Sequence, residues 1–364
     1  MEIPKLQIGN LIADFPLIQG GMGVRVSLAP LAAAVANEGG IGTLSTLGLA
    51  DLNLIGKEFI AKSKAALQAE IRLAKSMTKG LLAVNVMGVS SNAVDIIRTS
   101  VEEGIKLIMY GAGLPLRLPE IVSNNDVSLL PIISSPRAAV LIIKTWLKKY
   151  NKFPDGFILE GPLAGGHLGF SIEELNHIED FSLSKLLRQL LEAIKPFELK
   201  YKRKIPVISA GGVYTGMDIA ENLKSGASAV QMGTRFVCTE ECSVSDEFKQ
   251  AYIEANEEDI QIIQSPVGLP GRALRNKFIK SIESEGKRKI RCNYQCLKAC
   301  KVDKAHYCIA DALINAFSGN VDDGLVFCGQ NAYRVEKITT VKKLIAKLRA
   351  ELEEALENYF PKGD

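Results

Sequence analysis

A chain of 364 residues, 47% of them hydrophobic, can bury a large core, either as one large α/β domain or as a domain with an insertion. A net charge of +3 is too small to argue for nucleic acid or a membrane surface as partner. The N-terminal stretch lacks a basic region followed by a long apolar run, and no stretch approaches about eighteen uninterrupted apolar residues. Neither a signal peptide nor a membrane span is therefore expected, and a cytoplasmic location is.

In chain order, 15–19 reads as an apolar strand running into Gln19-Gly20-Gly21-Met22. A helix is expected over 27–38, with Ser27 as its N-cap and Gly39-Gly40 as its stop. Strand 41–45 and a long, alanine-rich helix over 54–77 follow. Strand 80–87 carries Asn85 near its end, helix 92–103 closes at Gly104, and strand 106–110 opens onto Gly111-Ala112-Gly113. A short helix over 116–123, strand 128–133 and helix 136–149 come next, with proline at a tolerated first-turn position. Strand 156–160 leads into a glycine-rich stretch, and 183–194 is the clearest part of the helical region after it. Strand 205–209 ends in Ala210-Gly211-Gly212, helix 215–224 follows, and strand 227–232 ends in Gly233-Thr234. Eight short apolar strands, each followed by a helix or helical turn, imply βαβ units and a parallel sheet. Eight of them before Phe236 imply an α/β fold of the (β/α)8 TIM-barrel type, with a doubly wound sheet as the competing arrangement.

Beyond Phe236 the pattern changes. A helix is expected over 246–255, whereas 256–304 has no clear strand–helix repeat and turns basic: from Arg272 to Lys304 there are eleven Lys or Arg against three Asp or Glu. Helical signals return over 310–317. They are strongest over 341–359, where Leu344, Leu348, Leu352 and Leu356 form one apolar face. The expected organisation is a barrel over 1–254, a basic, cysteine-containing substrate or lid lobe appended over 255–304, and a C-terminal helical segment over 305–364 packing back on the barrel.

In such a barrel the strand C-termini open onto one face, and the site is built there. The loops after strands seven and eight commonly hold phosphate. Glycines at Gly211, Gly212 and Gly233 would let backbone N–H groups approach phosphate oxygens, with Thr234 adding a hydroxyl. Gln19, Asn85 and Gln231 are amides near strand ends, suited to the edge of a flat heterocycle. The stretch Glu160-Gly161-Pro162-Leu163-Ala164-Gly165-Gly166-His167-Leu168-Gly169 combines a carboxylate, a flexible turn and an imidazole. Alone it reads as a turn with an incidental histidine. After strand six, facing a phosphate site, it makes His167 the foremost catalytic candidate, with Glu160 on the substrate side.

Taken together, Gln19-Gly20-Gly21-Met22, Val84-Asn85, the 160–169 stretch, Ala210-Gly211-Gly212 and Val230-Gln231-Met232-Gly233-Thr234-Arg235-Phe236 resemble the flavin-dependent nitronate monooxygenases, formerly called 2-nitropropane dioxygenases. The FMN-dependent enoyl-acyl-carrier-protein reductase II enzymes share these motifs, and the resemblance covers 15 to about 240. It implies FMN as cofactor, with its phosphate on Gly211, Gly212, Gly233 and Thr234. The ring would lie near Gly20, Gly21, Met22, Asn85, Gly166 and Gln231, with His167 catalytic beside it. In a monooxygenase His167 would orient or deprotonate a nitro compound or nitronate, and O2 would be the oxidant. In a reductase NAD(P)H would be the donor and an enoyl thioester the acceptor, with acyl carrier protein as a partner for the basic lobe. A (β/α)8 isomerase or lyase acting on a phosphorylated metabolite is a further alternative, and a homodimer is an open expectation. Where some family members carry a lysine near the end of strand five, this chain reads Ile132-Ile133-Ser134-Ser135, so Ser134 or Ser135 would have to substitute, or the contact is absent.

The cysteines fall outside that pattern. Five of seven lie in 292–328, which argues against a disulfide framework. Cys292, Cys296 and Cys300 are four apart, with Cys308 eight further on. On a helix this spacing would put the first three thiols on one face, as ligands for an iron–sulfur cluster or zinc or as an apolar seam. His306 is a further, weaker ligand candidate.

Overall fold

A computed structural model describes residues 2–51, 53–290, 292, 296–298 and 300–359. Eight parallel strands close into a barrel: β1 (Leu17–Gln19), β2 (Ile41–Ser45), β3 (Leu81–Met87), β4 (Leu107–Gly111), β5 (Ser128–Ile133), β6 (Phe157–Glu160), β7 (Val207–Ala210) and β8 (Ala229–Met232). They pair in sequence order, and β8 pairs with β1 through Met232 and Gln19, so no edge is left unpaired. The doubly wound alternative is excluded by that closure. Most of the strands are short and almost wholly buried, because they pack side chains both into the barrel and against the outer helices.

Ile18, Leu107, Met109, Leu130, Ile158 and Ile208 share one buried cluster with Leu6, Ile8 and Ala13. The last three belong to a small antiparallel hairpin, Leu6–Ile8 with Leu11–Ala13, which had no clear sequence signal. Its turn residue Gly9 has φ +57° and abuts Ser128 and Asp155 at the start of β5 and just before β6. The hairpin therefore plugs the end of the barrel opposite the strand C-termini.

The outer helices form where the apolar periodicity placed them, with local adjustments. The first spans Ala29–Asn37, and its N-cap is Leu28, not Ser27. Ser27 is fully buried and accepts a hydrogen bond from Met22 N at 2.9 Å, so its hydroxyl braces the β1 loop instead of capping. Thr215 does cap the helix Gly216–Lys224, in a reciprocal capping box with Asp218.

The C-terminal helix Val341–Tyr359 buries Leu344, Leu348, Leu352 and Leu356, as its periodicity predicts. It packs against Gly216–Lys224 and Ala29–Asn37, the helices that follow β7 and β1. Gly216 N donates to Glu351 Oε2 at 2.8 Å, and the Arg349 guanidinium lies 4.6 Å from the Phe15 ring. This is the place of the eighth barrel helix. Residues 238–340 thus form an excursion between β8 and the helix that completes the ring.

Within that excursion, 256–304 holds more regular structure than its sequence pattern indicates. β9 (Ile260–Gln264) and β10 (Pro270–Leu274) form an antiparallel hairpin, followed by a helix over Lys277–Glu285. β10 also pairs with the two-residue strand Gly166–His167 from the loop after β6. No described helix is long and apolar enough to cross a membrane.

Candidate active site

The strand C-termini surround a cavity of about 350 Å3. Most of the residues assigned from sequence to the flavin or the reaction line it: Gly20, Gly21 and Met22 after β1, Asn85 on β3, Glu160, Gly166 and His167 from β6 and its loop, Gly211 and Gly212 after β7, and Gln231, Gly233 and Thr234 from β8 onward.

The glycines are placed where backbones press together. Gly211 has φ +91°, and a Cβ there would come within 2.9 Å of Ala164 N and 3.0 Å of Gly161 O, so the loops after β6 and β7 touch through it. Gly212 has φ +88° and lies against Leu163. Two contacts from the distant C-terminal segment hold this end of the cavity. Asn331 Nδ2 donates to Gly212 O at 2.7 Å, and Gly329 N donates to Thr234 Oγ1 at 3.0 Å. The Thr234 hydroxyl proton stays available to a ligand.

At the opposite end, Asn85 Nδ2 donates to Gly21 O at 3.3 Å, and Gly20 sits against the Gln231 side chain. Gln231 Oε1 is buried without a hydrogen-bond partner among the described residues. A buried acceptor without a donor is costly, so this oxygen suits a ligand N–H. Gln19 is different: its Oε1 accepts from Thr43 N at 2.9 Å and its Nε2 donates to Gly20 O, which uses both groups inside the protein. It has no free edge for a heterocycle. Neither Ser134 nor Ser135 lines the cavity; Ser135 accepts from Ala138 N and caps the helix Pro136–Tyr150. A serine therefore does not stand in for the lysine of some relatives.

His167 is held from the excursion. Its backbone pairs with Gly271, and Leu168 N donates to Pro270 O at 2.9 Å. Its Nε2 lies 2.7 Å from Ser265 Oγ, and its ring meets Phe327 edge-on at 5.1 Å. Burial lowers its pKa from the usual imidazole value to about 4, so the ring is neutral near pH 7. Glu160 at the β6 rim shifts the other way: enclosed by protein, its carboxyl rises to about 7.

Beneath the His167 loop lies Arg272, 1% exposed, donating to Pro162 O at 2.6 Å and Ala164 O at 2.5 Å. Burial lowers its pKa to about 10, which leaves it a cation at neutral pH. Ser265, Arg272, Phe327, Gly329 and Asn331 were not singled out from the sequence. Arg272 was counted within a basic, solvated-looking run. The only local hint at Phe327, Gly329 and Asn331 is Phe327-Cys328-Gly329-Gln330-Asn331, a glycine followed by two side-chain amides.

The cysteines do not form the predicted helical seam, since the described residues between Cys292 and Cys308 contain no helix. Among the described residues no three His, Cys, Asp or Glu side chains gather closely enough to hold a metal ion. The expectation of an iron–sulfur cluster or zinc on Cys292, Cys296, Cys300 and Cys308, with or without His306, finds no such ligand group among the described residues.

Comparison with known proteins matches residues 5–351 to the family model described as nitronate monooxygenase. The chain is 27% identical over 271 residues to the (3aS,4S,5R,7aS)-5-hydroxy-7a-methyl-1-oxo-octahydro-1H-indene-4-carboxyl-CoA dehydrogenase of Mycobacterium tuberculosis, covering 74% of this chain and 66% of that protein. It thus spans just under two thirds of that relative's length. It is 24% identical to a probable nitronate monooxygenase of Staphylococcus saprophyticus, covering 77% of this chain and 81% of that one. Among solved structures it is similar to FabK from Thermotoga maritima, with a TM-score of 0.75, 25% identity and 95% of each chain covered.

Proposed function

The chain belongs to the nitronate monooxygenase family, and from that premise we propose an FMN-dependent oxidoreductase that oxidises alkyl nitronates with O2. The observation that carries this reading is His167: a half-buried imidazole that lines one cavity with the glycine cradle at the ends of β7 and β8. The residues present fit FMN. Gly211, Gly212, Gly233 and Thr234 would hold its phosphate, and the partnerless Gln231 Oε1, with Asn85, Gly20, Gly21, Met22 and Gly166, would border its ring. When bound, the flavin supplies the two-electron redox chemistry.

The chain's own residues supply orientation. At a pKa of about 4, His167 is a weak base for a carbon-bound proton of a neutral nitroalkane. A neutral imidazole N–H can still hydrogen-bond the oxygens of a substrate that is already a nitronate anion. Ser265 fixes the ring, and Arg272 fixes the loop that carries it. Glu160, largely protonated below pH 7, can donate a hydrogen bond without placing a negative charge beside an anionic substrate.

A second reading, reduction of an enoyl thioester by NAD(P)H with acyl carrier protein as partner, is favoured by the likeness to FabK over 95% of both chains. The isomerase or lyase alternative is set aside by the family assignment. A flavin absorption band in the purified protein, or after reconstitution with FMN, tests the cofactor; a protein that stays colourless refutes both redox readings. O2 uptake with propyl nitronate, against NADH consumption with a crotonyl thioester, decides between them. His167→Ala should lower turnover by about a hundredfold while FMN stays bound; undiminished turnover would remove the role given to His167.

A further inference from the structure

His167 has two ring nitrogens, and the protein occupies one of them. Nε2 lies 2.7 Å from Ser265 Oγ, whereas Nδ1 has no hydrogen-bond partner among the described residues. Ser265 opens the turn between β9 and β10 and is 3% exposed. Backbone bonds close that turn: Ser265 N donates to Leu269 O at 3.2 Å, and Gly268 N donates to Ser265 O at 3.0 Å. The second strand of the same hairpin pairs with Gly166 and His167, so ring and hydroxyl are brought together by one ladder. His167 lines the active-site cavity and Ser265 does not. Nδ1 is therefore the ring nitrogen left to a ligand.

The direction of the bond between Ser265 and His167 follows from the other contacts of the hydroxyl. A serine hydroxyl has one proton to give and two lone pairs. One lone pair faces Val267 N, which donates to Oγ at 3.5 Å. For the proton, Nε2 is the one acceptor in reach among the described residues. If Nε2 itself carried a proton, two N–H groups would point at Oγ and the buried hydroxyl proton would have no acceptor, which folded proteins rarely leave unrelieved. The ring is neutral near pH 7 and so carries a single proton. With Nε2 accepting, that proton sits on Nδ1.

We propose that Ser265 is a positioning residue that holds His167 in the Nδ1–H tautomer, so that the ring offers the active site a hydrogen-bond donor and not a base. The tautomer stands by itself; its consequence for the substrate rests on the nitronate reading. A nitronate anion already has the charged oxygens that an N–H can bond. A neutral nitroalkane must first lose a carbon-bound proton, and a protonated Nδ1 has no lone pair to take it. At pH 6 the Glu160 carboxyl, raised to about 7, is largely protonated and supplies no base either.

The tautomer can be read directly, by long-range 1H–15N correlation of the FMN-loaded protein labelled with 15N-histidine at pH 8, where ordinary imidazoles are neutral. The chain has three histidines. His306 is an internal standard: its Nδ1 lies 2.7 Å from Gly286 O, a carbonyl that can only accept, so its proton is on Nδ1. His167, assigned by the signal lost in His167→Gln, should show the His306 pattern, and exposed His177 an average of both tautomers. A wild-type spectrum with His167 protonated on Nε2 overturns the proposal. Ser265→Ala should move His167 off the Nδ1–H pattern and lower kcat/KM for propyl nitronate about tenfold. Ser265→Thr, which keeps the hydroxyl, should restore both. An unchanged His167 pattern in Ser265→Ala, with a melting temperature that shows the fold intact, also overturns it. At pH 6, 1-nitropropane added as the neutral acid should be consumed at least about a hundredfold more slowly than propyl nitronate; comparable rates refute the donor role. If neither compound is consumed, the nitronate reading fails while the spectrum still decides the tautomer.

Discussion

Arg272→Met is the sharpest probe of how the excursion supports the loop that carries His167. Methionine matches much of the arginine's length and is apolar, so it leaves little cavity at a position only 1% exposed. It removes both bonds to Pro162 O and Ala164 O and leaves those carbonyls buried without that donor. Each orphaned acceptor costs about 1–3 kcal/mol, partly offset because a guanidinium no longer has to be desolvated, so about 3 kcal/mol net is expected. Unfolding entropy near 2.1 cal/mol/K per residue over 364 residues converts this to a fall in Tm of about 4 °C. Because His167 lies in the same short loop just beyond the released carbonyls, kcat should fall about tenfold or more with flavin content unchanged. Arg272→Lys keeps the charge but offers a point donor in place of a planar fork, and should recover only part of either loss. Thermal melts and steady-state kinetics read the two effects. A variant melting within 1 °C of wild type with unchanged kcat would refute the claim that Arg272 holds the loop.

Gly21→Ala would put a Cβ into the Asn85 side chain and displace it from Gly21 O; with about 1–3 kcal/mol of overpacking, FMN should bind at least tenfold more weakly, as fluorescence titration can measure. For pH, His167 held at about 4 must be neutral to work. The acidic limb of kcat/KM should therefore lie near 4, and one near 6.5 would contradict the burial argument. Glu160, raised to about 7, retains its proton in the folded protein after the unfolded chain has lost it, so its contribution to stability is present below about 4.5 and is lost as pH rises from 4.5 to 7. His167 acts in the opposite sense, contributing above 6.5 and losing that contribution as pH falls towards 4. The two slopes oppose one another between 4.5 and 6.5. Glu160→Gln removes one of them and should lose about 1.4 kcal/mol per pH unit relative to wild type on acidification through that window, measured by denaturant unfolding. Parallel curves for variant and wild type would show that Glu160 titrates normally.

The barrel was legible because each of its strands is a short apolar run ending in a turn or in residues of unusual type, and each helix repeats its apolar face about every 3.6 residues. The terminal helix over 341–359 has the bounds that its leucine spacing gives, but its place in the ring does not follow from periodicity. Nothing in the leucine pattern says that it lies between the helices after β7 and β1, with an excursion of about a hundred residues between β8 and itself. The plug hairpin escaped notice because three-residue strands are too short for alternation to stand out. β10 escaped because Pro270-Gly271-Arg272-Ala273-Leu274 is buried along its whole length and so shows no alternation, although it contains an arginine.

The same distinction explains the site. Residues that touch a ligand through backbone must be small, and glycines at strand ends announce themselves. Residues that hold His167 and the neighbouring loops act through partners about a hundred positions away: Ser265 on His167, Arg272 on Pro162 and Ala164, and Asn331 on Gly212. Their types are ordinary, and composition assigns an arginine in a basic run to the surface. Its burial follows from topology, because the hairpin of β9 and β10 extends the backbone ladder onto Gly166 and His167 and carries the Arg272 side chain beneath the turn. The barrel therefore supplies the cradle, while the segment inserted before its last helix holds the position of the histidine. Substitutions in 260–275 and 325–331 should accordingly alter turnover and its pH dependence more than flavin affinity, and those at Gly20, Gly21, Gly211 and Gly233 the reverse.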